Sequence, residues 1–259
     1  MTASLKSHTD GQTLVLTISN PEHRNALGPD IYAAGVEALN ASENNRDIRS
    51  VVITGEGQHF CAGGNLQRLQ ANRQQDPAVQ AASIEGLHNW IEAIRAFPKP
   101  VIAAVEGSCA GAGFSLALAC DLVVAAEDSV FVMAYVNVAL SPDGGATWSL
   151  LRALPRSTAM QLLMGGERID ARRLQQLGVV SRISATGQAL ADSLAWAGQL
   201  NGRAPNAMAS IKELANEALV QPLHAQLAAE RDHFVRNLHH PNAGEGIAAF
   251  IGKRQPHYP

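Results

Sequence analysis

This chain has few cysteines and no excess of positive charge, and each of these absences argues against certain functions of the protein. Three cysteines occur among 259 residues, at positions 61, 109 and 120, and none forms a CxxC pair. This spacing favours neither a disulfide framework nor a zinc site, so the sequence predicts no metal centre and a reducing, cytoplasmic location. The formal net charge of −3 argues against nucleic acid as a partner, because nucleic-acid-binding domains are usually basic.

Long apolar runs are also missing. No stretch approaches the roughly 18 consecutive apolar residues that a membrane span needs, and residues 1–8 contain no apolar signal-peptide core. Hydrophobic residues make up 46% of the chain and charged residues 17%, which is typical of a soluble globular protein. We therefore expect one large domain, or a domain with an appendage, that makes no contact with a membrane.

Short β-branched segments alternate with helical patterns in the first part of the chain, and this succession indicates an α/β fold with covered sheets. Strands are predicted at 13–18, 50–54, 101–105, 122–126 and 130–133. Helices are predicted at 29–39 and in the segment where Ile84, Leu87, Ile91 and Ile94 fall on one helical face. From about Pro155 onward the pattern is wholly helical. Asp170 is placed to cap a short helix that ends at Gly178. Longer helices are predicted at 187–200, 204–218 and 222–238.

Two glycine-rich stretches, at residues 60–66 and 106–115, each separate a β-branched run from a helical pattern. A strand, a glycine turn and a helix N-terminus aim backbone N–H groups at an anion or at a developing negative charge. Either stretch alone can equally be a tight turn of the fold. Two such turns that face one point would form an oxyanion hole without any catalytic side chain.

Together with their flanks, these stretches resemble the crotonase superfamily, the enoyl-CoA hydratase/isomerase family. Residues 20–27, 60–66, 100–122, 141–148 and 245–254 carry the resemblance in the family's order, over nearly the whole chain. It implies a spiral of ββα repeats that holds the CoA and acyl site, over residues 1–195. It implies a C-terminal helical region, over residues 196–259, that builds a homotrimer or a dimer of trimers. The implied partner is an acyl-CoA thioester, with no cofactor besides the CoA of the substrate.

The resemblance also implies roles for individual residues. The backbone N–H groups of Gly64 and Ala112 correspond to the oxyanion hole, which binds the thioester oxygen. The positions implied to bind CoA are Arg24 at the phosphates, Ala26 and Ala62 through their backbones, and Phe250 with Lys253 towards a neighbouring subunit's CoA.

The acid–base positions depart from those of the family's hydratases. Those enzymes hold water with two glutamates, and this chain has Ser115 and Tyr135 at the corresponding places. One carboxylate, Asp143, remains, where members that move double bonds carry an aspartate. A single carboxylate suffices for isomerisation, since it removes a proton from one carbon and returns it to another. Asp143 is equally placed to cap a helix at about 145–154.

The flanks at 131–134 and 145–148 resemble the ring isomerases of phenylacetyl-CoA degradation. Isomerisation of an enoyl-CoA is therefore the expected reaction. The alternatives are hydration of an enoyl-CoA, ring-opening hydrolysis of an oxepin-type CoA ester, and a non-catalytic CoA-ester-binding protein. Tyr135, Trp148 and Ser115 are weaker candidates for the acyl pocket. The polar segment 67–80 is interpreted as a further wall of that pocket.

Overall fold

The computed structural model describes residues 3–258, in which nine strands form two sheets. The larger sheet has the spatial order β1 (Ser4–Asp10), β2 (Thr13–Ser19), β3 (Ser50–Gly55), β4 (Val101–Val105), β6 (Leu122–Ala126) and β9 (Arg182–Ser184). Strand β1 is antiparallel to β2, and all later neighbours are parallel. The smaller sheet has the order β5 (Ser108–Ala110), β7 (Val130–Val132) and β8 (Arg168–Asp170).

Helices connect and cover these strands. They are α1 (Pro29–Glu43), α2 (Leu66–Asn72), α3 (Pro77–Ala96), α4 (Ala112–Ala119), α5 (Ala146–Ala153), α6 (Arg156–Gly165), α7 (Ala171–Gln176), α8 (Ala189–Asn201), α9 (Pro205–Ala218), α10 (Leu223–Leu238) and α11 (Pro241–Ile251). Two short 3-10 helices span Pro21–His23 and Ala134–Val138. No helix within residues 3–258 has the length and the apolar character to cross a membrane.

The central strands are buried on both faces, which explains their continuous apolar sequences. On one face, Val52, Ile102 and Val124 pack with Ala197 of α8. The side chains that point the other way belong to the main core, together with α1, α3 and α4. The parallel strands end at one edge of the sheet, and the loops that leave β2, β3 and β4 there build the site described below.

The predicted α/β class and the five predicted strands are confirmed. The prediction of a wholly helical region after Pro155 is wrong, because β8 and β9 lie within it. Each has three residues, which is too short for an alternating pattern. Strand β1 was also missed, since six of its seven residues are exposed and polar residues dominate it.

Other helical predictions are confirmed closely. The Asp170 carboxylate accepts a hydrogen bond from the Arg173 N–H at 2.7 Å, and α7 ends just before Gly178, whose φ is +82°. Helix α8 crosses the predicted boundary between residues 195 and 196 and packs on the large sheet through Ala197. The division of the chain into a core and a C-terminal region stays a prediction.

Candidate active site

Three loops lie side by side at the carboxyl edge of the large sheet. The loop after β2 is joined to the loop after β3, because the Ala62 N–H donates to the Arg24 carbonyl at 2.9 Å and the Leu27 N–H donates to the Gly63 carbonyl at 2.8 Å. The Asn25 side chain strengthens this junction by donating to the carbonyls of Glu56 and His59.

The loop after β3 is joined in turn to the segment after β4. The Cys61 N–H donates to the Ser108 carbonyl at 3.1 Å, and the Ala110 N–H donates to the Cys61 carbonyl at 2.9 Å. The Ser108 N–H also donates to Nδ1 of His59, at 3.2 Å. The first glycine stretch thus lies against β5 like an additional strand, which brings the two glycine turns together.

Glycine is required where the two turns meet. Gly63 has a φ of +94°, and a Cβ there would lie 2.9 Å from the Ala110 carbonyl oxygen. A Cβ on Gly113 would lie 2.7 Å from the Cβ of Cys61. Side chains at these positions would force the turns apart, so the glycines set the distance between them.

The two predicted oxyanion-hole residues line one cavity. Gly64 and Ala112 both contribute to its wall. Neither backbone N–H donates to another group within residues 3–258. Ala112 is the first residue of α4, where the helix dipole favours negative charge. Two such N–H groups are suited to binding an oxygen that becomes an anion.

The cavity has a volume of about 440 Å³ and is mainly apolar. Its apolar side chains are Leu66, Leu69, Ile84, Leu87, Val138 and Leu140. Helices α2 and α3 form one side of it, so segment 67–80 contributes to a wall. A more open apolar groove continues between the same two helices towards the surface.

Asp143 lines the cavity and is hydrogen-bonded to Tyr135. The Tyr135 hydroxyl donates to Oδ1 of Asp143 at 2.7 Å. Burial raises the pKa of Tyr135, and the Asp143 carboxylate raises that pKa further, so the phenol keeps its proton. Ser115 lies 3.2 Å from the Tyr135 hydroxyl and donates to the Asp143 carbonyl at 3.0 Å. The two residues at the positions predicted to correspond to the hydratase glutamates therefore both bind Asp143.

The alternative role of Asp143, as a helix cap, is wrong. Helix α5 begins at Ala146 after Gly145, and no side chain caps it. The Ala146 N–H approaches the backbone carbonyl of Asp143, at 3.2 Å, and not its carboxylate. Gly144, with a φ of +58°, lets this loop pack on α4, because a Cβ there would lie 2.9 Å from the Cβ of Ser115.

Comparison with known proteins places the chain among its relatives. The sequence model of the enoyl-CoA hydratase/isomerase family matches residues 9–259. The chain belongs to this family. It is 34% identical to the 1,2-epoxyphenylacetyl-CoA isomerase of Escherichia coli K12 over 258 residues, which are 97% of each chain. It is also 34% identical to the 2,3-dehydroadipyl-CoA hydratase of the same strain, over 95% of each chain.

The fold is that of the family as well. The crystal structure of an enoyl-CoA hydratase from Polaromonas sp. JS666 is similar to this chain with a TM-score of 0.98 and 71% identity, over 99% of this chain and 100% of the other. The predicted crotonase fold is thus confirmed. Relatives are named both as isomerases and as hydratases, so family membership leaves the reaction open.

Some residues implied by the family resemblance lie outside the cavity wall. Trp148 is stacked between the guanidinium groups of Arg95 and Arg152, 4.4 and 4.0 Å from its ring centre. Ser115 is buried beneath the wall and acts on it through Tyr135 and Asp143.

Of the residues implied to bind CoA, only some lie near the cavity of a single chain. Ala62 lines it, and Ala26 is buried in the loop after β2, which also carries the exposed Arg24. Phe250 is 86% exposed on α11, and Lys253, which follows that helix, is also exposed. The roles of Arg24, Phe250 and Lys253 stay predictions.

The cavity residues that the sequence analysis did not single out include Tyr32 of α1 and Arg68 of α2. A local signal for Arg68 exists: Asn65 precedes it by three residues, and the Asn65 side chain accepts a hydrogen bond from the Arg68 N–H at 2.9 Å. This N-cap pattern predicts a helix from Leu66 onward, but it does not predict where the Arg68 side chain points.

Proposed function

We propose that this protein isomerises a double bond or ring of an acyl-CoA thioester, with Asp143 as both base and acid. The observation that carries the proposal is the hydrogen bond from Tyr135 to Oδ1 of Asp143 in the wall of the cavity. It orients the carboxylate and leaves Oδ2 for a substrate C–H group. Oxyanion donors line the same cavity, at Gly64 and Ala112.

The proposed reaction needs no second reactant. The Asp143 carboxylate removes a proton from a carbon next to the conjugated system. The electron pair shifts through the double bond to the thioester oxygen, which the Gly64 and Ala112 N–H groups stabilise as an enolate. Asp143 then returns the proton to a different carbon, so the carboxylate is regenerated and the double bond has moved. One well-placed donor of this type stabilises the transition state by about 3–4 kcal/mol.

Hydration is the competing candidate, and the names of several relatives favour it, among them the Polaromonas structure and the dehydroadipyl-CoA hydratase. Hydration requires a base for water and an acid for the α-carbon. In this chain the two positions of the hydratase glutamates are Ser115 and Tyr135, and both bind Asp143 instead. A single carboxylate on the cavity wall matches isomerisation better.

The decisive experiment is mass spectrometry of enoyl-CoA and aryl-CoA esters after incubation with the protein in heavy water. Deuterium incorporation without another mass change supports isomerisation. Gain of one water supports hydration or ring hydrolysis and gives Asp143 a different role. Binding without any change supports the non-catalytic alternative.

Replacement of the proposed base tests the residue assignment. Asp143→Asn should lower the rate of deuterium incorporation by about 100-fold or more, because it removes the general base. Its melting temperature and its affinity for a saturated CoA ester should change little. Asp128→Asn, at an exposed site outside the cavity wall, is the matched control. An Asp143→Asn protein with nearly the parental rate contradicts the assignment.

We further propose that the chain assembles through its C-terminal helices, as the family resemblance implies. Apolar side chains on α9–α11 are exposed in the single chain: Ile211 at 61%, Phe234 at 68% and Phe250 at 86%. Burial of such side chains between subunits would stabilise an oligomer. Light scattering on the purified protein gives its mass directly.

A further inference from the structure

The Arg68 side chain extends from α2 to the N-terminal end of α1. Its Nη1 lies 2.7 Å from the point where a Cβ on Gly28 would stand. Gly28 has an extended backbone with a φ of −159°, which any residue can adopt. The absence of a side chain at Gly28 leaves the space that the guanidinium group occupies.

The charge of Arg68 has no counter-ion among residues 3–258. Its Nε is buried and has no hydrogen-bond partner. The Arg68 side chain is half-buried and hydrogen-bonded to Tyr32, but its buried Nε has lost water and gained no acceptor, which is unfavourable. Arg68 therefore has a neutral partner and no carboxylate that balances its charge.

Arg68 lines the same cavity as the proposed oxyanion hole and Asp143. Burial has the largest effect on the pKa of Tyr32 and raises it. Arg68 lowers this pKa and Asp143 raises it, so the Tyr32 hydroxyl is influenced by both charges. No other arginine or lysine appears in the part of the cavity wall that the described residues form. The remaining polar side chains of α3 in the wall are Gln80, Ser83 and His88.

We propose that Arg68 binds a carboxylate on the acyl group, so that the preferred substrates are CoA esters of dicarboxylic acids. The planar guanidinium group matches a carboxylate with two parallel hydrogen bonds. The apolar side chains of the same cavity wall suit the carbon chain of such an ester. This inference rests on the proposed function in one respect, because it takes the cavity to be the acyl site.

The test compares two esters that differ at the end of the acyl chain, trans-2-hexenoyl-CoA and 2,3-dehydroadipyl-CoA. Both have the same CoA, the same six-carbon chain and a γ-CH₂ group that can exchange with heavy water. The parent protein should show a kcat/KM for deuterium exchange about 10- to 100-fold higher with dehydroadipyl-CoA, as expected for a charge-assisted hydrogen-bonded pair. Arg68→Met should abolish this preference and leave the hexenoyl-CoA value nearly unchanged. Arg68→Lys keeps the charge and should retain part of the preference.

Arg156→Met is the matched control, because Arg156 is an exposed arginine at the start of α6 and lies outside this cavity wall and the groove that continues it. It should keep the parental preference. An equal loss for both esters in Arg68→Met would overturn the proposal, since it would assign Arg68 to the phosphates of CoA or to the fold. A parent protein without a preference would overturn it as well.

Binding separates this proposal from the proposed reaction. Adipyl-CoA and hexanoyl-CoA are saturated and cannot undergo double-bond isomerisation, so calorimetry measures their affinities alone. Tighter binding of adipyl-CoA that Arg68→Met removes supports the role of Arg68, even if the parent protein exchanges no deuterium. Equal affinities in the parent protein refute it, even if exchange is observed.

Discussion

Replacing Tyr135 by phenylalanine isolates the hydrogen bond to the proposed base. The ring stays, so the packing against Gly111 stays, where a Cβ would lie 3.8 Å from Cζ of Tyr135. Ser115 keeps an acceptor, because its hydroxyl donates to the Asp143 carbonyl at 3.0 Å. The change that matters is the loss of the 2.7 Å hydrogen bond to Oδ1 of Asp143.

The size of the effect follows from the charge of the acceptor. A hydrogen bond to an ionised group contributes about 1.5–3 kcal/mol. Because this bond orients the Asp143 carboxylate, its loss should lower kcat/KM for deuterium exchange by about 10- to 100-fold.

The assay is deuterium exchange into one enoyl-CoA, with the melting temperature as a control for folding. A loss of kcat/KM of this size at an unchanged melting temperature supports the role of the hydrogen bond. A variant with nearly the parental kcat/KM would refute the reasoning, because the hydrogen bond would then not position the base.

Two further predictions concern the turns and the buried phenols. Gly113→Ala should lower the free energy of unfolding by about 1–3 kcal/mol through overpacking against Cys61, and it should also slow deuterium exchange. The control is Gly198→Ala, where no atom lies within 4 Å of the added Cβ. Equal melting temperatures of the Gly113→Ala variant and the parent protein would contradict the prediction. The pKa values of Tyr32 and Tyr135 are raised above 10.0, so the folded protein holds both protons at a pH where the unfolded chain releases them. The resulting stabilisation of the fold is present below about pH 10 and is lost at higher pH. Absorbance titration should show a late tyrosinate component that shrinks in Tyr135→Phe, and complete titration near pH 10 with the fold intact would contradict it.

The central part of this site was predictable because it is local. The glycine turns, the helix that starts at Ala112 and the aspartate after Pro142 are each defined by a few consecutive residues. The choice between the two roles of Asp143, catalytic base or helix cap, could not be made from the neighbouring residues in the sequence. It depended on whether the carboxylate faces α5 or the hydroxyl of Tyr135, eight residues earlier in the chain.

Features that depend on distant contacts were missed. Strands β8 and β9 exist because they pair with β7 and β6, and their own three-residue sequences carry no such pattern. The direction of Arg68 depends on the space above Gly28, forty residues earlier in the sequence. A helix prediction for segment 67–80 would have placed Arg68 on a wall without showing that its side chain enters the cavity.

Three elements bring their side chains to one point beside the glycine turns: Ser115 from α4, Tyr135 from a 3-10 helix and Asp143 from the loop before α5. The proposed thioester site, in contrast, is made of backbone and is independent of which side chains those elements carry. The two halves of the chemistry are therefore separable. A scaffold of this kind can keep the means of stabilising an enolate while the proton-transfer group moves between neighbouring positions, and each placement selects a different fate for the same intermediate.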